Sequence, residues 1–251
     1  MQLRLSWLGR LAGILGVSAV VAAPAARAQG GDGFLFRRPP STLALRFGYD
    51  QASAQSDLFT FVTDQLTLRR GDFSSLTIAG DLAGRLSDRV DLVFGAAFAK
   101  RGNRSEFRDW LDQDDLPIEQ RTTFQRLPLT VGLRAFVKPR GRAVGQLAWV
   151  PAARSFYVGG GAGAMWYRFR QAGDFVDFET LDVFRDQFDS SGWTFTAYGL
   201  AGMEMSLGTR FFLTGEARYT WARSTLADAY KGFDRIDLSG LALTAGIGIR
   251  Q

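Results

Sequence analysis

From Phe195 to Trp221 the chain changes character at every second residue. One set of positions reads Phe195, Ala197, Gly199, Ala201, Met203, Met205, then Phe211, Leu213, Gly215, Ala217, Tyr219, Trp221. The alternate set reads Thr196, Tyr198, Leu200, Gly202, Glu204, Ser206, then Arg210, Phe212, Thr214, Glu216, Arg218, Thr220. A period of two with unlike faces is the pattern of strands lying between two different environments. A turn at Leu207-Gly208-Thr209 folds the stretch into a hairpin, setting Met205 opposite Phe211, Met203 opposite Leu213, Tyr219 opposite Ala197 and Trp221 opposite Phe195.

The same alternation recurs along the chain. About Thr42–Asp50, Leu43, Leu45, Phe47 and Tyr49 share a face. Around Ser87-Asp88-Arg89, Leu86 opposes Val90, Leu82 opposes Phe94, Gly80 opposes Ala96 and Ile78 opposes Phe98. The other face then pairs Arg85 with Asp91, Ala83 with Val93 and Asp81 with Gly95; a one-residue slip would mix the faces, and an opposed Arg–Asp pair is favourable. Further strands are predicted at about 121–137, where Pro128 marks an irregularity, at about 155–169, with Gly159, Gly161 and Gly163 turned inward, and at about 236–249. The tally is about eight strands. Connections 51–72, 101–120, 170–191 and 222–235 are long and two of the three others are tight, which describes an up-and-down barrel with long loops at one mouth. The patch Leu58–Val62 is expected to extend the strands, and 138–153 to hold a brief interfacial helix anchored by Trp149.

Composition decides which side of such a barrel is apolar. The segment Met1 to Ala28 carries Arg4 and Arg10, an uncharged run from Leu11 to Ala26, and the ending Ala26-Arg27-Ala28, the layout of a cleaved signal peptide. Residues 29–40, with Pro39-Pro40, are expected to form a short periplasmic leader and 41–250 the barrel. The formal charge of +5 owes three of its 30 basic residues to the signal segment, so it does not point to nucleic acid. There is no Cys, hence no disulfide framework despite export. Hydrophobic residues reach 46%, with 29 Gly and 21 Phe, yet no long apolar run follows the leader. Apolar content spread on alternate residues is the habit of transmembrane strands. The 195–205 span matches the ~9–11 residues that a tilted strand needs to cross a bilayer. A soluble lipocalin-type ligand-binding barrel is the competitor; it would turn the apolar face inward.

With the apolar face outward, the lumen receives Arg46, Asp81, Arg85, Asp91, Arg126, Arg134, Glu204, Glu216 and Arg218. An interior of about eight strands is narrow enough for side chains to fill, so these charges are expected to pair across it. Tyr49, Trp166, Trp193, Tyr219 and Trp221 fall at strand ends, where an aromatic girdle meets the membrane interface. The chain has no His, which removes Ser-His-Asp and Cys-His catalysis and imidazole metal sites. The acidic residues of 101–120 and 170–191 lack a calcium-loop spacing, and Phe175, Phe178, Phe184 and Phe188 are expected to cap the mouth or meet a partner. No catalytic, cofactor or metal residue is assigned.

The leader ending Ala26-Arg27-Ala28, the run Tyr157-Val158-Gly159-Gly160-Gly161-Ala162-Gly163, the alternating strands and the rim aromatics together resemble the small outer-membrane β-barrels of Gram-negative envelopes, the OmpA transmembrane-domain, OmpX and OmpW-like group. Such barrels usually end on an aromatic residue, whereas this chain ends Gly248-Ile249-Arg250-Gln251. The resemblance implies an all-β, eight-stranded antiparallel barrel in the outer membrane. Its implied partners are outer-membrane lipid, lipopolysaccharide and the assembly machinery. The expected role is non-enzymatic: envelope structure, or surface interaction through 101–120 and 170–191. Transport of small solutes or hydrophobic compounds is the alternative.

Overall fold

The computed structural model describes residues 33–177, 180 and 182–251. The expected signal peptide, the start of the leader segment, and Phe178 and Glu179 lie outside the described residues. In chain order the strands are β1 (Leu35–Phe36), β2 (Ser41–Ala52), β3 (Ser75–Arg85), β4 (Val90–Leu111), β5 (Pro117–Phe136), β6 (Gly141–Val144), β7 (Ala148–Pro151), β8 (Arg154–Val176), β9 (Val183–Ser206), β10 (Phe211–Ser224), β11 (Ile236–Asp237) and β12 (Gly240–Arg250). Strands β2, β3, β4, β5, β8, β9, β10 and β12 each pair antiparallel with two neighbours, and β12 pairs back to β2. The result is a closed eight-stranded ring, without a free edge at the level where all eight strands pair.

Its sidedness follows the alternation. Thr42, Ala44 and Arg46 of β2 are buried, while Leu43, Leu45, Phe47 and Tyr49 are exposed. Leu76, Phe94, Val131, Phe156, Phe195 and Leu243 carry the exposed apolar face around the ring. An apolar exterior of this extent would be insoluble as a water-facing wall and suits lipid. This overturns the lipocalin alternative, whose apolar face would be inside. Small residues make room within. Gly132 and Gly161 are register partners, and a Cβ on Gly161 would fall 2.5 Å from the Cα of Gly132. The Tyr198 hydroxyl lies against Gly132, in space that only glycine leaves.

The hairpin β3–β4 has the expected register throughout, Ile78 to Phe98, Leu82 to Phe94 and Arg85 to Asp91. The β9–β10 hairpin differs. Leu213 faces Met205, and Trp221 faces Ala197, because the turn closes between Leu207 and Phe211, whose backbones bond at 3.0 Å. A slip of two residues keeps every side chain on its own face, so alternation alone cannot detect it. Pro128 leaves the β4–β5 register unshifted on either side; the irregularity lies between Glu106 and Leu111.

Four neighbouring strands are tall. β4, β5, β8 and β9 have 22, 20, 23 and 24 residues, against 12, 11, 14 and 11 for β2, β3, β10 and β12. Segments 101–120 and 170–191, expected as loops, are therefore mostly strand: β4 and β5 turn at 112–116, and the Asp177 amide at the end of β8 donates to the Asp182 carbonyl before β9 at 3.0 Å. Outside a membrane neither face must be apolar, so the ladder continues without the signal that revealed it lower down.

Other connections also depart from expectation. Helix α1 (Asp57–Gln65) replaces the predicted strand extension, with Leu58, Phe59 and Val62 buried. Those three, with Leu66, repeat at helical rather than strand spacing. Asp57 stands in the first turn, where its carboxylate accepts from the Leu58 amide at 2.8 Å. The 138–153 connection forms β6 and β7 rather than a helix, and Trp149 is buried there instead of lying at an interface. β1, from the leader segment, adds to this small sheet through Leu35 and Phe36. The last expected strand breaks at Leu238-Ser239, where the Asp237 carboxylate accepts from the Ser239 amide at 3.0 Å, a local bond that competes with the ladder.

The helix and its neighbouring loops put an apolar core inside the long-loop mouth. Phe59 meets Phe73, Phe124 and Phe169 with ring centroids 4.7, 5.5 and 5.7 Å away, and Tyr167, Ile236 and Leu238 complete the packing. Replacing Phe59 with Ala should cost about 3–5 kcal/mol through lost burial and the cavity left behind. Thermal unfolding in detergent should show a lowered midpoint, whereas an unchanged one would mean that the cap is not a cooperative part of the fold.

Candidate functional site

The lumen is the site that the sequence marks by its charges, and the strands bring six of them together. Asp81 of β3 lies 2.6 Å from Arg46 of β2, 2.8 Å from Arg134 of β5 and 3.7 Å from Arg218 of β10. Glu216 lies 3.1 Å from Arg218, 3.4 Å from Arg46 and 3.6 Å from Arg134. Glu204 of β9 is held more loosely, 3.7 Å from Arg134 and 3.9 Å from Arg250. Three carboxylates and three arginines thus neutralise one another at mid-barrel. Side chains of Arg46, Asp81, Arg134, Glu204 and Glu216 are all no more than 2% exposed.

Magnitudes explain why the charges occur as a cluster. At an effective dielectric near 20, ions about 3 Å apart gain roughly 5 kcal/mol, comparable to the several kcal/mol that each loses on leaving water. One contact roughly breaks even, so several are needed for a comfortable margin. Aromatic rings add more. Arg134 stacks 4.6 Å from the Tyr157 ring and Arg218 4.5 Å from Tyr198. The Tyr157 hydroxyl donates to Glu216 Oε2 at 3.2 Å.

The remaining predicted charges sit elsewhere. Asp91 lies toward the short-turn mouth, 2.7 Å from Arg140. Arg85, opposite Asp91 in register, stacks on Trp149 at 5.4 Å and makes no ion pair among the described residues. Arg126 serves the other end. It binds Asp50 at 3.0 Å and donates to the carbonyls of Leu238 and Ser239 at 3.0 and 3.3 Å, pinning the break before β12 to the tall wall.

Five partners were not anticipated: Asp50, Arg140, Tyr157, Tyr198 and Arg250. Tyr157, Tyr198 and Arg250 stand at inward positions of their strands, so extending the alternation would have found them. Asp50 shares its face with Arg46, at the very end of the predicted strand. Arg140 lies in a connection that carries no strand phase, and no signal marks it. The girdle residues Tyr49, Trp193 and Trp221 are exposed on the outer wall. Trp166 pairs with Trp193 across β8–β9, and Tyr219 meets Trp221 at 4.7 Å.

Above the cluster is the apolar cap. Phe188 and Phe175 meet at 4.7 Å, and Tyr230 donates to the Phe188 carbonyl at 3.3 Å. Burial pushes the Tyr230 phenol above its ordinary range. Phe107, Phe175, Phe184, Phe188 and Phe233 line a cavity of about 200 Å³ on the outer side of this packing. Each carboxylate of the central cluster faces at least two guanidinium groups, an arrangement that fills space and fixes strands rather than one that holds a free base.

Replacing Glu216 with Leu leaves Arg46, Arg134 and Arg218 short of one carboxylate. It should destabilise the barrel by about 3–5 kcal/mol, read as a lower unfolding midpoint in detergent. Asp81→Asn should act similarly. The double variant should lose clearly less than the sum, because both substitutions break one network; strict additivity would mean that the acids act separately.

No protein-family model and no curated protein matches the chain. Among solved structures it is similar to the outer-membrane protein OprG of Pseudomonas aeruginosa, at 15% identity and a TM-score of 0.46, covering 86% of this chain and 98% of that one. It is also similar to Neisserial surface protein A, at 12% identity and 0.44, covering 89% and 100%. A third likeness is to Ail of Yersinia pestis, at 13% identity and 0.42, covering 83% and 98%. The architecture itself stands on the closed strand ring and its sidedness. With lipid-compatible residues outside and neutralised charges inside, the chain is an eight-stranded antiparallel transmembrane β-barrel.

Proposed function

We propose that the chain is a non-enzymatic, integral protein of the outer membrane of a Gram-negative-type bacterium. In this reading both termini lie in the periplasm, and the protein acts through the surface raised by its tall wall. One observation carries this: the interior is occupied at three levels. The apolar cap fills the long-loop mouth, the Asp81–Glu216–Glu204 cluster fills the middle, and Arg140, Trp149 and Arg250 crowd the short-turn end. A wall without a pore has its exterior and its crown left to work with. The strand extensions of β4–β5 and β8–β9 take the place of loops as the surface offered to a partner, with Arg, Asp and Glu exposed along them.

A second reading, uptake of hydrophobic compounds, is favoured by the aromatic cavity of about 200 Å³ at the crown. It requires the cap around Phe59 and Tyr230 to move before a solute could leave the crown.

The two readings separate in planar bilayers. The purified barrel should give no single-channel steps, while Arg46→Ala/Arg134→Ala, if it inserts, should introduce current fluctuations by removing the largest mid-lumen side chains. Stable conductance from the unsubstituted protein would contradict the closed-lumen reading.

A further inference from the structure

The outer face of the tall wall changes chemistry just above its aromatic rim. Register aligns Leu127, Trp166 and Trp193 in one outward row across β5, β8 and β9. The next row is Lys100, Gln125, Arg168 and Ser191, followed by Gly102, Thr123, Arg170 and Asp189, then Arg104, Arg121, Ala172 and Gln187. Three successive rows therefore hold five cations and one carboxylate. Asp189 is committed to Arg168, with Nε–Oδ2 at 2.8 Å, and Gln187 accepts from Arg170. Lys100, Arg104 and Arg121 have no ion-pair partner among the described residues.

Two features turn this charge into a receptacle. Arg104 and Arg121 stand directly opposite each other, a like-charge pair that favours an anion beside it, with Glu106 and Glu119 opposed in the row above. Gly102 and Thr123 sit at the centre, where small side chains leave a hollow of about 480 Å³ bordered by Lys100, Arg121, Arg168 and Arg170. The Arg121 guanidinium comes within 3.7 Å of where a Cβ on Gly102 would stand.

The geometry points to a binding site for the phosphorylated headgroup of an outer-leaflet glycolipid. Phosphate groups would enter among Lys100, Arg121 and Arg170 while acyl chains lie along the apolar strip below Trp166 and Trp193. Guanidinium forks suit phosphate oxygens. Position selects a lipid over a soluble anion: the hollow opens sideways on the lipid-facing wall directly above the rim, not into the crown. The inference rests on the outer-membrane reading and names a ligand class for it.

The test uses the full barrel in phospholipid nanodiscs doped with bisphosphorylated lipid A, with lipid retained per barrel read by native mass spectrometry. Arg121→Gln/Arg170→Gln alters one exposed and one half-buried position outside the apolar belt and should lower retention about thirty-fold, about five-fold for each cation removed near an anionic headgroup layer. Fully dephosphorylated lipid A should be retained as poorly by the unsubstituted protein, a comparison that stands even if the variant fails to fold. Equal retention of both lipids, or no effect in a folded variant, would overturn the proposal. Inorganic pyrophosphate binding as tightly as the lipid would make the hollow a soluble-anion site, which also overturns it. Compact migration in unboiled gels and membrane fractionation are scored separately, so failure of the outer-membrane reading is seen on its own.

Discussion

Neutralisation of buried charge inside a closed ring is the constraint on which the rest of this structure depends. Eight strands enclose too little space for bulk water, so a guanidinium or carboxylate pointing inward must find its partner on another strand. Asp81 meets arginines from β2, β5 and β10, and Glu216 meets arginines from β2, β5 and its own strand. The cluster therefore links strands that are not hydrogen-bonded neighbours. It sets the cross-section of the barrel in a way that the backbone ladder alone does not. Glycines complement it: the Gly132–Gly161 pair gives Tyr198 the space from which its ring supports Arg218.

The same logic explains the division of the molecule along its axis. At membrane depth the outer wall must be apolar and the inner wall paired. Beyond it, β4, β5, β8 and β9 keep their ladder in water and are free to change sign and polarity from row to row. The shorter strands on the opposite side cannot rise with them, and their connections instead fold inward. Helix α1 and the 225–239 segment supply Phe59, Tyr230 and Leu238 against the inner face of the tall wall. Cap and wall are two responses to one difference in strand length.

How much of this was legible depended on whether two environments differed. Where lipid lay on one side and the lumen on the other, alternation marked the strands, their facing and six members of the charge cluster. A two-residue slip at the Leu207–Phe211 turn preserves both faces, so the register of that hairpin was not written in the pattern. Above the membrane the contrast vanishes, and 101–120 and 170–191 read as loops although they are mostly strand. The spacing of Leu58, Phe59, Val62 and Leu66 fits the helix that forms, but Leu58–Val62 read as a strand extension because Phe59-Thr60-Phe61 imitates a strand over the same residues. Arg140 and Trp149 became visible only once the short 138–153 sheet was folded against the barrel end.

The closed, ion-paired lumen is tested most directly by a thiol placed within it. The natural chain has no Cys, so Thr214→Cys would carry the sole reactive group, on a side chain that is buried beside the Tyr157 hydroxyl. A small charged methanethiosulfonate reagent added from either side of liposomes holding the folded barrel should fail to modify it, while modifying it rapidly after denaturation. Rapid modification in the folded state, from either side, would show a water-filled path past Asp81 and Glu216 and would contradict the account.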